Sequence, residues 1–237
     1  MSRNYVALDI ETTGLRPEQD EIIEIGAVRY QDGMAVETYS SLIKPNARIS
    51  SRITEITGIT NAMVQEERSC EEVLPEFLAF LGADIMIGHN VRFDYSFLKV
   101  HAYRQKMNLD NKAIDTLYLA KKLHPEFESR SLGAMCSQYG IINEHAHRAF
   151  DDAKACAELY EMMYKQFGES MQEVFLAKPI AYKIKKEESI TSKQKIYLND
   201  LTKYHKINLE MPIDSLTKSD ASRLIDKIIL NYGRIMF

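Results

Sequence analysis

A strand that is apolar on both sides and yet carries two carboxylates is the feature that most narrows what this chain can become. It runs Tyr5-Val6-Ala7-Leu8-Asp9-Ile10-Glu11 and is closed by Thr12-Thr13-Gly14. Apolar and polar positions alternate too weakly for an exposed strand, which places the segment at the centre of a sheet. The turn residues then break it. Asp9 and Glu11 stand two apart, so their side chains leave the same face. Two like charges beside Val6, Leu8 and Ile10 repel each other and lose hydration unless a cation compensates. A pair solvated at a strand end escapes that problem, and the spacing taken alone favours this simpler alternative.

Two more strands, at 21–30 and 35–42, flank Asp32-Gly33, a strong hairpin signal, so three strands open the fold as a meander. Beyond them the period changes. Ser69 with Glu72 forms a capping box for a helix to about Leu81, and 84–88 is a short buried strand. A helix from Phe93 to about Met107, a short strand at 112–115 and helices at 116–123, 131–139 and 150–167 follow. Gly140 stops the helix at 131–139. A meander followed by alternating strands and helices predicts an α/β fold with a mixed sheet flanked by helices. The Tyr and Phe residues of 150–167 lie on one helical stripe and read as core.

No apolar run nears the roughly 20 residues needed to span a bilayer, and the chain starts straight into a strand, so a cytoplasmic protein is expected. Cys70, Cys136 and Cys156 fall in helical patterns without C-x-x-C spacing and read as small buried hydrophobes. The net charge of −4 hides an asymmetry: from Lys178 onward 12 Lys and Arg face 7 Asp and Glu, leaving residues 1–177 with 18 against 27. An acidic body with a basic tail suits a metal enzyme joined to a polyanion-binding extension. We therefore expect a catalytic domain over 1–177, a basic linker over 178–189 and a small helical unit over 190–237. In that unit Tyr197, Leu201 and Tyr204 give one helix an apolar face. Thr217 and Asp220 box the start of another, with Ala221, Leu224, Ile225 and Ile228 as its buried stripe. Helix, extended loop and helix together loosely resemble SAP-type nucleic-acid-binding domains.

Further acids accompany the strand pair. In GHNVRFDYSFL a strand ends at Gly88 and Asp94 enters the first turn of a helix; in HRAFDDA, His147 precedes Asp152 near another helix start. Hard oxygen ligands from three elements with one nearby histidine point to a Mg²⁺ or Mn²⁺ phosphoryl-transfer site.

Together DIETTGL, HNVRFD and HRAFDDA resemble the three motifs of the DEDDh exonuclease family, and ITEITGITNAMV is similar to a segment of proofreading subunits such as bacterial DNA polymerase III epsilon. The likeness covers roughly residues 4–166. It implies a ribonuclease H-like fold, two divalent cations, Mg²⁺ or Mn²⁺, held by Asp9, Glu11, Asp94 and Asp152, and His147 as general base in the release of 3′-terminal nucleotides. It also implies contacts to the terminal nucleotide from Thr12, Thr13, Gly14, Asn90 and Phe93, although small turn residues and an aromatic beside a helix are as often structural. Asp151 is read as a helix N-terminal charge, Asp115 as a cap, His89 as a hydrogen-bonding structural residue and His145 as a solvated loop residue. His101, His124 and His205 have no partner at ligand spacing. The expected partner is nucleic acid with a 3′ end, DNA before RNA, together with a replication or repair protein. An RNA 3′-end trimmer would use the same acids, and a dead binding scaffold would have lost one of them.

Overall fold

The computed structural model describes residues 4–184, 188–209 and 211–235. The expected linker residues 185–187, Glu210 in the tail's loop and residues 236–237 lie outside them. The chain divides into two compact units, 1–183 and 184–237.

In the first unit, strands β1 (Tyr5–Thr12), β2 (Ile22–Gln31) and β3 (Met34–Leu42) form the meander. Helices α1 (Ser51–Thr57), α2 (Asn61–Val64) and α3 (Cys70–Leu81) follow, then β4 (Ile85–Gly88), α4 (Arg92–Arg104), β5 (Lys112–Asp115), α5 (Thr116–Leu123), α6 (Leu132–Tyr139), α7 (Ala149–Phe167) and β6 (Lys178–Pro179). The sheet order is β3-β2-β1-β4-β5-β6, antiparallel across the meander and at β6, parallel from β1 through β4 to β5. This is the mixed, helix-flanked sheet of the ribonuclease H-like class.

Local chemistry explains the elements. Asp32 and Gly33 both take positive φ, 52° and 80°, as the tight turn between two twisted strands requires. Glu72 accepts the Ser69 N–H at 2.8 Å to open α3, and the Asp115 carboxylate caps α5 through the Leu117 and Tyr118 N–H groups. α1 and α2, which periodicity did not reveal, are short and rest on their own caps, Ser50 and Thr60.

The sheet has a core on each face. Val6, Leu8 and Ile10 of β1 pack with Val73, Leu74 and Phe77 of α3 and Phe97 and Leu98 of α4. Tyr5 and Ala7 face the other way, among Leu119 of α5 and Cys156, Leu159 and Tyr160 of α7. Each fully buried large apolar side chain contributes about 1.5–3 kcal/mol over its exposed state, so both layers are firmly anchored. Alternation then decides where the acids go. Asp9 and Glu11 continue the Tyr5 and Ala7 row and open towards the face covered by α7.

Two expectations need correction. Residue 178 does not begin a linker, because Lys178 and Pro179 pair with β5 as a sixth strand, Ile180 and Tyr182 pack on the core, and the Tyr182 hydroxyl donates to Glu18 at 2.9 Å. A two-residue strand is too short to show periodicity. In the second unit, α8 (Ser192–His205) buries Leu198 and Leu201, while Tyr197 and Tyr204 are exposed. Leucines one turn apart face the partner helix, and the tyrosines, with a hydroxyl each to hydrate, are left outside. α9 (Lys218–Tyr232) starts at the Thr217 and Asp220 box and buries Ala221 and Ile228, with Leu224 and Ile225 half-buried against the same small core. The linking segment contains one short 3-10 turn, Ile213–Ser215. Among the described residues no helix is long and apolar enough to cross a membrane.

Candidate active site

The site forms where β1 outruns its neighbour. β4 pairs with β1 only as far as Ala7 opposite Ile87, so the next outward N–H on that side, that of Ile10, has no strand partner. The Asp94 carboxylate takes it at 3.1 Å from the first turn of α4. Asp94 is thereby drawn to the strand that carries Asp9 and Glu11, and it is 2% exposed.

On the other side of β1, Gly26 of β2 lies opposite Asp9. A Cβ there would fall 2.1 Å from the backbone nitrogen of Phe150, so only glycine lets the first turn of α7 rest on the strand. That contact carries Asp152 to the cluster. One carboxylate oxygen of Asp152 accepts the His147 N–H at 2.9 Å, and the other accepts the Asn143 amide at 2.5 Å. Ligand atoms of Glu11, His147 and Asp152 lie within 4.8 Å of one another. His147 is exposed and held at φ 68°, a left-handed conformation uncommon outside glycine and found disproportionately at functional sites.

The four acids disturb one another as their burial demands. The Asp9 carboxyl is pushed well above the ordinary range, first by burial and then by Asp94, Glu11 and Asp152. Glu11 is raised to about 8, first by burial and then by Asp152 and Glu24. Asp94 and Asp152 move in the same direction, burial again leading. Carboxyls pushed towards the neutral form by burial and by one another are the donor set that a hard divalent cation fits.

A model of the exonuclease family, RNase_T, matches residues 6–160. The chain belongs to this exonuclease family. It is similar to DNA polymerase III PolC-type of Thermotoga petrophila, 50% identical over 167 residues, which is 68% of this chain and 12% of the relative. The chain thus spans about an eighth of the length of the PolC-type relatives. It also resembles DNA polymerase III subunit epsilon of Aquifex aeolicus, 39% identical over 66% of this chain and 78% of that subunit. Among solved structures, Exonuclease X in complex with 5′ overhanging duplex DNA aligns with a TM-score of 0.60 and 27% identity, covering 72% of this chain and 97% of that one. Escherichia coli Exonuclease I with a dT13 oligonucleotide, at 20% identity and a TM-score of 0.64 over 71% of this chain and 42% of that one, shares the fold.

The other residues singled out in this exonuclease sequence divide by what their side chains already do. Thr12 donates to the Gly14 carbonyl at 2.6 Å, and the Thr13 hydroxyl accepts the Glu21 N–H at 2.9 Å, so both hydroxyls help build the turn after β1. A Cβ on Gly14 would fall 2.5 Å from the Asp20 carboxylate. Asn90, at φ 70°, is exposed at the β4–α4 junction and donates its N–H to Asp115. Phe93 is half-buried, its ring 5.0 Å from that of Phe97. His89 links Thr116 Oγ1 and the Arg130 carbonyl through its two ring nitrogens. Asp151 stands 3.5 Å from the exposed His145.

Sequence reasoning missed Asn143, Glu24 and Arg148. Glu24 is paired with Glu11 across β1 and β2, is 1% exposed, and is gripped by the Arg148 guanidinium at 2.6 Å. The signal was an acid in the otherwise apolar run Ile22-Ile23-Glu24-Ile25, which burial would forbid without a cation.

Proposed function

We propose that this family member is a metal-dependent 3′→5′ exonuclease that removes nucleotides one at a time from DNA 3′ ends in proofreading or repair. The observation that supports it most is the convergence of Asp9, Glu11, Asp94 and Asp152 from β1, α4 and α7, with His147 beside them. The DNA polymerase III names of the similar proteins, and the DNA bound to Exonuclease X, favour DNA over RNA as the substrate.

In this reading the four acids hold two Mg²⁺ or Mn²⁺ ions. Such ions supply Lewis-acid polarisation of the phosphodiester and charge to offset that developing on the leaving oxygen. His147, exposed and anchored through its own N–H, accepts the proton of the attacking water. The water oxygen bonds to phosphorus as the bond to the 3′ oxygen of the penultimate nucleotide breaks. Thr12, Thr13 and Gly14 shape the turn against which the terminal nucleotide lies, while Asn90 and Phe93 contact it from around the start of α4. The enzyme works in the cytoplasm beside a replication or repair protein.

Incubating 5′-labelled DNA and RNA oligonucleotides side by side with Mn²⁺ tests the proposal. A DNA ladder shortening one nucleotide at a time from the 3′ end is expected. Endonucleolytic cuts, or preference for RNA, would overturn it in mechanism or in substrate. Residues 190–237 we read as a nucleic-acid-binding or docking module, since Lys193, Lys195, Lys203, Lys206, Lys218, Arg223 and Lys227 lie on or beside its two helices. A chain ending after Lys183, which keeps Tyr182 on the core, should retain turnover at saturating substrate but bind oligonucleotides more weakly, with a shallower salt dependence. An unchanged salt slope would leave protein docking as its role.

A further inference from the structure

The acid beside the site that the chemistry does not use is Glu24. It faces Glu11 across the β1–β2 ladder and adds to that carboxylate's raised pKa, so position alone would make it a fifth metal ligand. Its hydrogen bonds assign it elsewhere. One carboxylate oxygen accepts Arg148 Nη2 at 2.6 Å; the other accepts Arg148 Nε at 3.2 Å and the Ala149 N–H at 3.0 Å. The Ala149 N–H is one of the donors that a helix start leaves unpaired, and Arg148, at the N-cap of α7, offers no side-chain cap of its own. The sheet therefore caps the helix, through a carboxylate that is 1% exposed.

Arg148 directly follows His147. The uncommon backbone of His147 is held on one side by its N–H bond to Asp152 and on the other by a neighbour forked onto a buried acid. Gly26, two residues along β2, removes the side chain that would lift this turn from the sheet. We propose that Glu24 and Arg148 form a clamp that fixes the backbone of His147 and so aims its imidazole at the attacking water: they are positioning residues, not metal ligands. This rests on the reading of His147 as the proton acceptor.

The test is a double-mutant cycle on the full chain, following hydrolysis of a labelled single-stranded DNA oligonucleotide at saturating Mn²⁺. Glu24→Gln and Arg148→Lys, which loses the fork but keeps the charge, should each lower kcat by about 10- to 100-fold, with KM and the Mn²⁺ dissociation constant changed by less than about threefold. In a His147→Ala background either substitution should cost less than about twofold, because the group it aims is gone. The full loss persisting in that background would overturn the clamp, since the pair would then act on something other than His147. Mn²⁺ affinity falling tenfold or more in Glu24→Gln would make Glu24 a ligand. Near-wild-type turnover in His147→Ala alone would instead overturn the proton-acceptor reading. Should Glu24→Gln fail to fold, the half-exposed Arg148 carries the same cycle by itself.

Discussion

The helices that deliver Asp94 and Asp152 begin in opposite ways. α4 begins without a side-chain cap, and its acid is sealed at 2% exposure on the backbone N–H of Ile10, a contact made by the strand that carries the other two acids. α7 begins on a glycine-made seat and an ion pair, and its acid is held by Asn143 and His147 from an exposed loop. One half of the site is built into the sheet; the other is assembled from residues that a small loop change could move. The difference suggests a division of labour in which the α4 side fixes charge and the α7 side places the group that must reach solvent for a proton.

The largest effect should come from removing an acid. Asp9→Ala and Asp152→Ala should each abolish turnover while the protein stays folded, because in the proposed mechanism both acids hold metal. Without metal, Asp9→Ala should melt at a higher temperature than wild type, since a buried carboxyl that has to give up its charge among three other acids is gone. Asp94→Ala should gain nothing comparable, because it strands the buried Ile10 N–H at a cost of about 1–3 kcal/mol. Equal thermal gains in both variants would mean that the bond from Ile10 to Asp94 does not hold the sheet-built half together.

Next in size is His147→Ala. Turnover should fall by roughly 10²–10⁴ with Mn²⁺ binding retained. Because its ring lies within ligand distance of Glu11 and Asp152, calorimetry must accompany kinetics. Lost Mn²⁺ binding would move His147 from the proton-transfer half to the metal half.

A smaller effect is the pH dependence of stability without metal. In the unfolded chain these carboxyls titrate near pH 4, whereas folded Glu11 does so at about 8 and Asp9, Asp94 and Asp152 are shifted the same way. Across that window the folded protein holds protons that the unfolded chain has released, so stability should fall as pH rises from about 4 to about 8. Thermal melts in chelator should show the slope, and saturating Mn²⁺ should flatten it by supplying the missing positive charge. A flat profile in chelator would mean the acids are better solvated than their burial indicates.

Much of this was legible in the sequence, for physical reasons. The spacing of Asp9 and Glu11 fixes their shared face whatever the register, and Asp32-Gly33 can hardly be anything but a hairpin turn. Acids in the first turns of two helices are visible because helix starts carry local signals. The role of Glu24 was not legible, because its partner Arg148 lies 124 residues downstream and no local pattern links them. Likewise β6 is too short to show a period, and α1 and α2 are held by caps and tertiary contacts with little amphipathic pattern of their own. In α8 the expected stripe of Tyr197, Leu201 and Tyr204 shares only Leu201 with the buried one, because packing took Leu198 in place of the tyrosines.

The account rests on the four carboxylates being a single metal site, and Mn²⁺ titration of the full chain, wild type against Asp9→Asn, reads that directly. Asparagine keeps the shape of Asp9 and removes its charge. Wild type should bind two ions per chain in the presence of a nucleoside monophosphate, and Asp9→Asn should lose that binding together with activity. Undiminished Mn²⁺ binding by a folded Asp9→Asn chain would contradict the account.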